Sequence, residues 1–196
     1  METIIGLKGP SFAMLACDRY TNSSIIRLQD KADKILVVDD NKLLGLAGEI
    51  GDRLQFGEYI QKNMHLYQFR NNKKLSCAAA ASYARQQLAY YLRRSPYHVN
   101  LMLAGYDESG PHLYWMDYLA SSVAVHKGAH GYGAYFVGGL LDRYYHPALS
   151  EEEALSIMKM CKKELSTRFL VSQSDFRVKI VNKDGVRIVD LSGEEN

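Results

Sequence analysis

The residues able to do chemistry in this chain sit at spacings that disfavour the commonest reactions. Cys17, Cys77 and Cys161 are odd in number, far apart and in no C-x-x-C arrangement, so neither a disulfide framework nor a zinc site is indicated. Cys17 lies in the apolar run from Phe12 to Cys17, where burial raises a thiol's pKa and makes it a core residue rather than a nucleophile. His126 and His130 are four residues apart, but they span a strand end and a loop containing Gly128 rather than one helical face, and no metal site is expected. Gly131-Tyr132-Gly133 has the opening spacing of a nucleotide loop. Phe136 occupies the third glycine's place and no P-loop lysine follows, so close strand-to-helix packing is the expected role of these glycines. The 14 tyrosines and Trp115 are amphipathic aromatics of the kind that favour protein interfaces. No cofactor is expected.

The elements that must position these residues read as follows. Thr3 to Lys8 and Phe12 to Cys17 are near-continuous apolar runs joined by a Lys8-Gly9-Pro10-Ser11 turn, and Ile35 to Val38 and Leu43 to Gly48 are joined across Asp39-Asp40-Asn41-Lys42. This spacing predicts four strands before any helix. From about Glu49 the period becomes helical, with Phe56, Ile60, Met64 and Tyr67 on one face and a stop at Asn71-Asn72-Lys73-Lys74. Ser76 is the expected N-cap of a second helix striped by Cys77, Ala81, Ala84, Leu88 and Leu92, which Pro96 ends. Strands are predicted over Val99 to Gly105, His112 to Asp117 and Ser122 to His126. A helix over Gly133 to Tyr145 follows, then another opened by Ser150 and Glu153 in capping-box spacing. Arg177 to Val181 and Val186 to Asp190 close the pattern as a hairpin turned by Asn182-Lys183-Asp184-Gly185.

Helices arriving in consecutive pairs do not fit the one-helix-per-crossover rhythm of a parallel doubly wound sheet. Strands apolar throughout need cover on both faces. Both demands are met by a four-layer α-β-β-α sandwich of class α+β, with two antiparallel sheets between helix pairs, over residues 1–196 as a single domain. Its 196 residues are enough for one core of good size, and 47% hydrophobic against 23% charged residues excludes disorder and low-complexity architectures. Lys plus Arg at 24 against Asp plus Glu at 22 supplies no field for a phosphate backbone or an anionic membrane surface, so neither nucleic acid nor membrane is an expected partner. No apolar run reaches membrane-spanning length, and the opening Met1-Glu2 has no basic n-region. Asn22-Ser23-Ser24 therefore lacks the secretory context of a glycan site, and reduced thiols in an intracellular compartment are expected.

Several stretches carry a resemblance. Thr3 to Leu7, Ala13 to Arg19, Leu44 to Asp52, Tyr97 to Asp107, Tyr118-Leu119-Ala120 and Ala129 to Ala134 are similar, in order and over nearly the whole chain, to the β-type subunits of the eukaryotic proteasome core particle. That family has the same α-β-β-α sandwich, the N-terminal nucleophile hydrolase fold. Its active members use a threonine hydroxyl as nucleophile and the free α-amine of that residue as base. By register the resemblance places the family's aspartate on Asp18 and its lysine on Lys34, while the nucleophile's position falls on Glu2. The serine before the third helix becomes Tyr132, the second aspartate falls on Phe169, and Ser172 aligns with the serine that follows. Glu2 is a poor amide nucleophile, and Thr3 lies one residue late with no prosegment expected before it. The resemblance thus implies a non-catalytic structural β subunit in which Asp18 and Lys34 are a structural remnant, in the cytoplasm and nucleus. Implied partners are other β subunits and α subunits in stacked seven-membered rings around a chamber for ATP- and ubiquitin-dependent degradation. Arg143, Tyr144, Tyr145 and His146 are the candidate contacts with the opposite ring. The rival readings are an active threonine peptidase of this fold and a free-standing hydrolase or ligand-binding sandwich.

Overall fold

A computed structural model describes residues 2–24, 26–171 and 173–191. The first strands, β1 (Thr3–Lys8) and β2 (Phe12–Asp18), form an antiparallel hairpin in which Ile4 faces Cys17 and Leu7 faces Met14. β3 (Thr21–Ser23) and β4 (Ile26–Gln29) make a separate two-stranded hairpin, followed by β5 (Ile35–Asp39) and β6 (Lys42–Gly48). Among the described residues, six strands rather than four thus precede the first helix. The extra hairpin escapes sequence reading because Ile26 and Leu28, its apolar residues, point outward at 64% and 61% exposure, so its alternation marks no core face.

Helix α1 (Ile50–Asn71) ends on Asn72 in the left-handed conformation, and α2 (Cys77–Leu92) begins where the Ser76 side chain accepts the Ala79 N–H. β7 (Val99–Asp107), β8 (Gly110–Met116) and β9 (Ser122–Ala124) follow as a meander. A further strand, β10 (Lys127–Gly131), pairs antiparallel with β1 where the sequence reads as a loop. Its Gly128 and Gly131 have low intrinsic strand preference, and only the partner strand, distant in sequence, makes it a strand. α3 (Ala134–Tyr144) and α4 (Glu151–Arg168) come next, the latter opened by a complete Ser150–Glu153 capping box. β11 (Phe176–Asn182) and β12 (Gly185–Asp190) finish the fold.

The order β10-β1-β2-β11-β12 makes one five-stranded sheet and β5-β6-β7-β8-β9 the other. Alternation along β2 explains why its sequence is apolar throughout. Phe12, Met14 and Ala16 face α3 and α4 with Val137, Leu141, Ile157 and Leu165, whereas Ala13, Leu15 and Cys17 face Leu43, Met102 and Ala104 of the second sheet. β6 is read the same way, its Leu44 and Leu46 packing against Phe56, Ile60 and Ala84 of α1 and α2. Both sheets are therefore covered on both faces, and the layers run α-β-β-α.

Candidate functional site

The chain's chemistry gathers where β1 begins, β2 ends and β5 is about to start. Asp18 is the last residue of β2 and Lys34 directly precedes β5. Their side chains, 0% and 1% exposed, meet at 2.7 Å. Lys34 Nζ also donates to the Tyr20 carbonyl at 2.6 Å, and Asp18 accepts the backbone N–H groups of Thr3 at 2.8 Å and Tyr20 at 3.2 Å. A buried carboxylate with three donors and a buried ammonium with two acceptors satisfy the rule that interior charges are paired and hydrogen-bonded.

Glu2 lies beside this pair. Its carboxylate accepts the Gly48 N–H at 2.8 Å, approaches Lys34 Nζ at 3.5 Å and contacts the Arg53 guanidinium. The neighbouring cleft of about 640 Å³ is lined by Glu2, Asn22, Gly48, His98, Asn100 and Tyr132, among others. Thr3 turns the other way: fully buried, its Oγ1 donates to Gln173 Oε1 at 2.6 Å. Gly133 closes over it, so a Cβ there would stand 2.2 Å from Thr3 Oγ1. Gly131 is needed for a different reason. Its φ is +83°, and a Cβ would stand 1.7 Å from the Glu2 carbonyl oxygen, so the glycine sets how closely β10 approaches the start of β1.

The residues expected at the site thus meet selectively. Glu2, Asp18 and Lys34 converge. Tyr132 stands 59% exposed on the cleft rim, and Phe169 caps α4 and packs on Phe136 with ring centroids 5.4 Å apart. Ser172 lies outside the described residues. Sequence reasoning does not reach Arg53, Gly48 or Gln173. Arg53 carries a usable signal, because it occupies the stripe of Phe56, Ile60 and Met64 that α1 buries, and a charge on such a stripe needs an acceptor. A backbone N–H such as Gly48's leaves no trace in residue type.

Among the interface candidates, Arg143 and Tyr144 are exposed and stack on each other, with the guanidinium carbon 5.4 Å from the ring centroid. Tyr145 is half-buried, its hydroxyl donating to the Lys8 carbonyl at 3.2 Å, and His146 approaches Glu153 at 3.7 Å. Cys17, Cys77 and Cys161 are buried, and burial raises each thiol's pKa, to about 12 for Cys77 and Cys161. Thiolate chemistry is correspondingly suppressed. His130 stacks on Trp115 with centroids 4.4 Å apart and bonds the Leu101 carbonyl at 3.1 Å. Burial lowers its pKa to about 4, so its ring stays neutral near neutrality. Since the unfolded ring titrates near 6.5, the unfolded chain takes up the proton first, and this residue's contribution to stability is lost as pH falls from about 6.5 towards 4, by at most about 3 kcal/mol. An NMR titration is expected to keep His130 neutral at pH 5.5.

Two antiparallel sheets face to face under helix pairs are the N-terminal nucleophile hydrolase fold in the form taken by proteasome β subunits. The family model described as Proteasome subunit matches residues 1–181, and the chain belongs to that family. It is 48% identical over 188 residues to proteasome subunit beta type-2 of Oryza sativa subsp. japonica, covering 95% of this chain and 89% of the relative. Against proteasome subunit beta type-2 of Dictyostelium discoideum it is 43% identical over 199 residues, covering 100% of both. Proteasome subunit beta type-4 of Saccharomyces cerevisiae is 40% identical over 193 residues, covering 97% and 98%.

Proposed function

We propose that this chain is a non-catalytic, structural β subunit of the proteasome core particle, one member of an inner ring that encloses the chamber for ATP- and ubiquitin-dependent protein degradation. The observation that carries the reading is the Glu2 carboxylate, held by Gly48, Lys34 and Arg53 beside the lysine–aspartate pair. Peptide cleavage by this fold needs a hydroxyl and a free amine on one residue. Glu2 offers neither a hydroxyl nor a nucleophile strong enough for an amide. Thr3 has the hydroxyl but directs it to Gln173, and its nitrogen, joined to Glu2, is a peptide N–H donating to Asp18. Without a basic lone pair that nitrogen cannot serve as the base that takes the hydroxyl proton.

On this reading Asp18 and Lys34 serve the fold by tying the start of β1, the end of β2 and the approach to β5 together. The partners are the other β subunits and the α subunits of stacked seven-membered rings, in cytoplasm and nucleus. Exposed Arg143 and Tyr144, with Tyr145 and His146 behind them, are the contacts we assign to the opposing ring, since Arg and Tyr are the types enriched at interface hot spots. No helix among the described residues is long and apolar enough to cross a membrane.

The test is Glu2→Thr in the assembled particle. Restoring the hydroxyl without freeing the amine is expected to leave each peptidase activity unchanged as long as Met1 precedes it, and native mass spectrometry is expected to find the variant in full particles. Covalent labelling of the wild-type chain by a threonine-directed inhibitor would contradict the reading, as would a wild-type chain that runs only as a monomer beside its partner subunits.

A further inference from the structure

Glu2 is held by more cationic chemistry than a strand end requires. Arg53 and Lys34 are 7% and 1% exposed at the side chain, so both charges are largely cut off from water, and Gly48 adds a backbone donor aimed at the same carboxylate. The ion pairs that Glu2 and Lys34 make join two cations, Arg53 and Lys34, to two carboxylates, Asp18 and Glu2. Asp18 is fully engaged with Lys34, Thr3 and Tyr20, which leaves Arg53 with Glu2 as its counter-ion. The guanidinium meets one Glu2 oxygen, the Gly48 N–H donates to the other, and the Lys34 ammonium adds its charge at 3.5 Å, a donor set suited to a carboxylate. Removing the Glu2 side chain would leave one uncompensated buried positive charge at the inner end of the cleft.

We infer that Arg53, Lys34 and the Gly48 N–H form a carboxylate-binding pocket whose resident ligand is the chain's own Glu2, and that the pocket takes a free carboxylate anion when that side chain is cut back. The inference rests on the reading that Glu2 stands in the nucleophile's place, but its test involves no peptidase activity, so either can fail alone. In the intact chain the consequence is a self-filled pocket. Glu2 neutralises the inner end of the cleft and withholds these donors from the carboxylates of peptides in the chamber.

The experiment uses the full chain carrying Glu2→Ala, with acetate as the probe, acetamide as its uncharged isostere, and ionic strength held constant with chloride. A ligand that binds only the folded state stabilises it by mass action. A dissociation constant of about 10 mM would raise the folded-to-unfolded ratio about tenfold at about 100 mM acetate. For a chain of this length that is a rise in Tm of roughly 3–6 °C. Acetate is expected to produce this rise in Glu2→Ala, acetamide to produce none, and wild type to be indifferent because its pocket is filled. Adding Arg53→Met to Glu2→Ala is expected to abolish the response. The inference is overturned if Glu2→Ala ignores acetate, if acetamide acts equally, or if wild type responds as the variant does. Should the double variant not fold, the contrast between acetate and acetamide on Glu2→Ala alone still decides.

Discussion

Lys34→Met is expected to destabilise the subunit by about 3–5 kcal/mol, because methionine keeps the aliphatic stem but strips a fully buried carboxylate of its charge partner. Asp18 is 0% exposed and would keep only the Thr3 and Tyr20 amides, while the Tyr20 carbonyl would lose its 2.6 Å donor. The size of the loss comes from what remains behind. Desolvating an ion pair is expensive, so an intact buried pair contributes little net stability, yet its half-removal exposes the whole desolvation penalty. For a chain of this length the expected fall in Tm is roughly 10 °C. Lys62→Met is the contrast: its Glu58 partner lies one turn away on α1, both ends are more than half exposed, and Tm is expected not to move. Thermal melts of wild type and the two variants check this, and a Lys34→Met chain as stable as wild type would remove the structural role assigned to the pair. Particles that assemble fully with Lys34→Met but lose proteolysis selectively would contradict it from the other side.

Gly131→Ala is expected to cost at least about 3 kcal/mol, and for two independent reasons. At φ +83° an L side chain is strained, and the added Cβ would lie 1.7 Å from the Glu2 carbonyl oxygen, a backbone atom that cannot rotate away. Relief requires the first residues of β1 to lift off β10, breaking the Thr3–Gly131 pairing and moving Glu2 away from the Gly48 N–H. The site and the fold are therefore expected to suffer together. Gly139→Ala is the opposite case: it lies within α3, an added Cβ would meet nothing within 4 Å beyond its own helix, and alanine there is expected to stabilise by about 0.5–1 kcal/mol. Urea unfolding of both variants should show opposite shifts in midpoint.

What can be read from the sequence depends on whether the signal is local. The β11–β12 hairpin, the Ser150–Glu153 capping box and the stripe of α2 are written in neighbouring residues, and the structure places each within a residue or two of expectation. β10 is not local, because Lys127 to Gly131 become a strand only when β1 lies alongside. The β3–β4 hairpin lies outside the core altogether, so hydrophobic patterning has nothing to mark. At the site, the register that puts Asp18 at the end of β2 and Lys34 before β5 is legible through the resemblance, and the two meet at 2.7 Å. The remaining partners of Glu2 are not. Arg53 sits on a helix far along the chain, and Gly48 contributes only a backbone N–H, so the pocket exists only in three dimensions. Nor does sequence show that the Tyr145 hydroxyl bonds the Lys8 carbonyl within the same chain.

Whether Glu2 stands where a peptidase would need its threonine is decided by the intact mass of this chain after the assembled particle has been treated with a threonine-directed covalent inhibitor. The chain is expected to keep its unmodified mass at inhibitor concentrations that fully label any subunit of the same particle with a free amino-terminal threonine. A stoichiometric mass increase on this chain, mapped by peptide sequencing to Thr3, would contradict the non-catalytic role, because labelling there requires both a free amine and a hydroxyl turned towards the cleft.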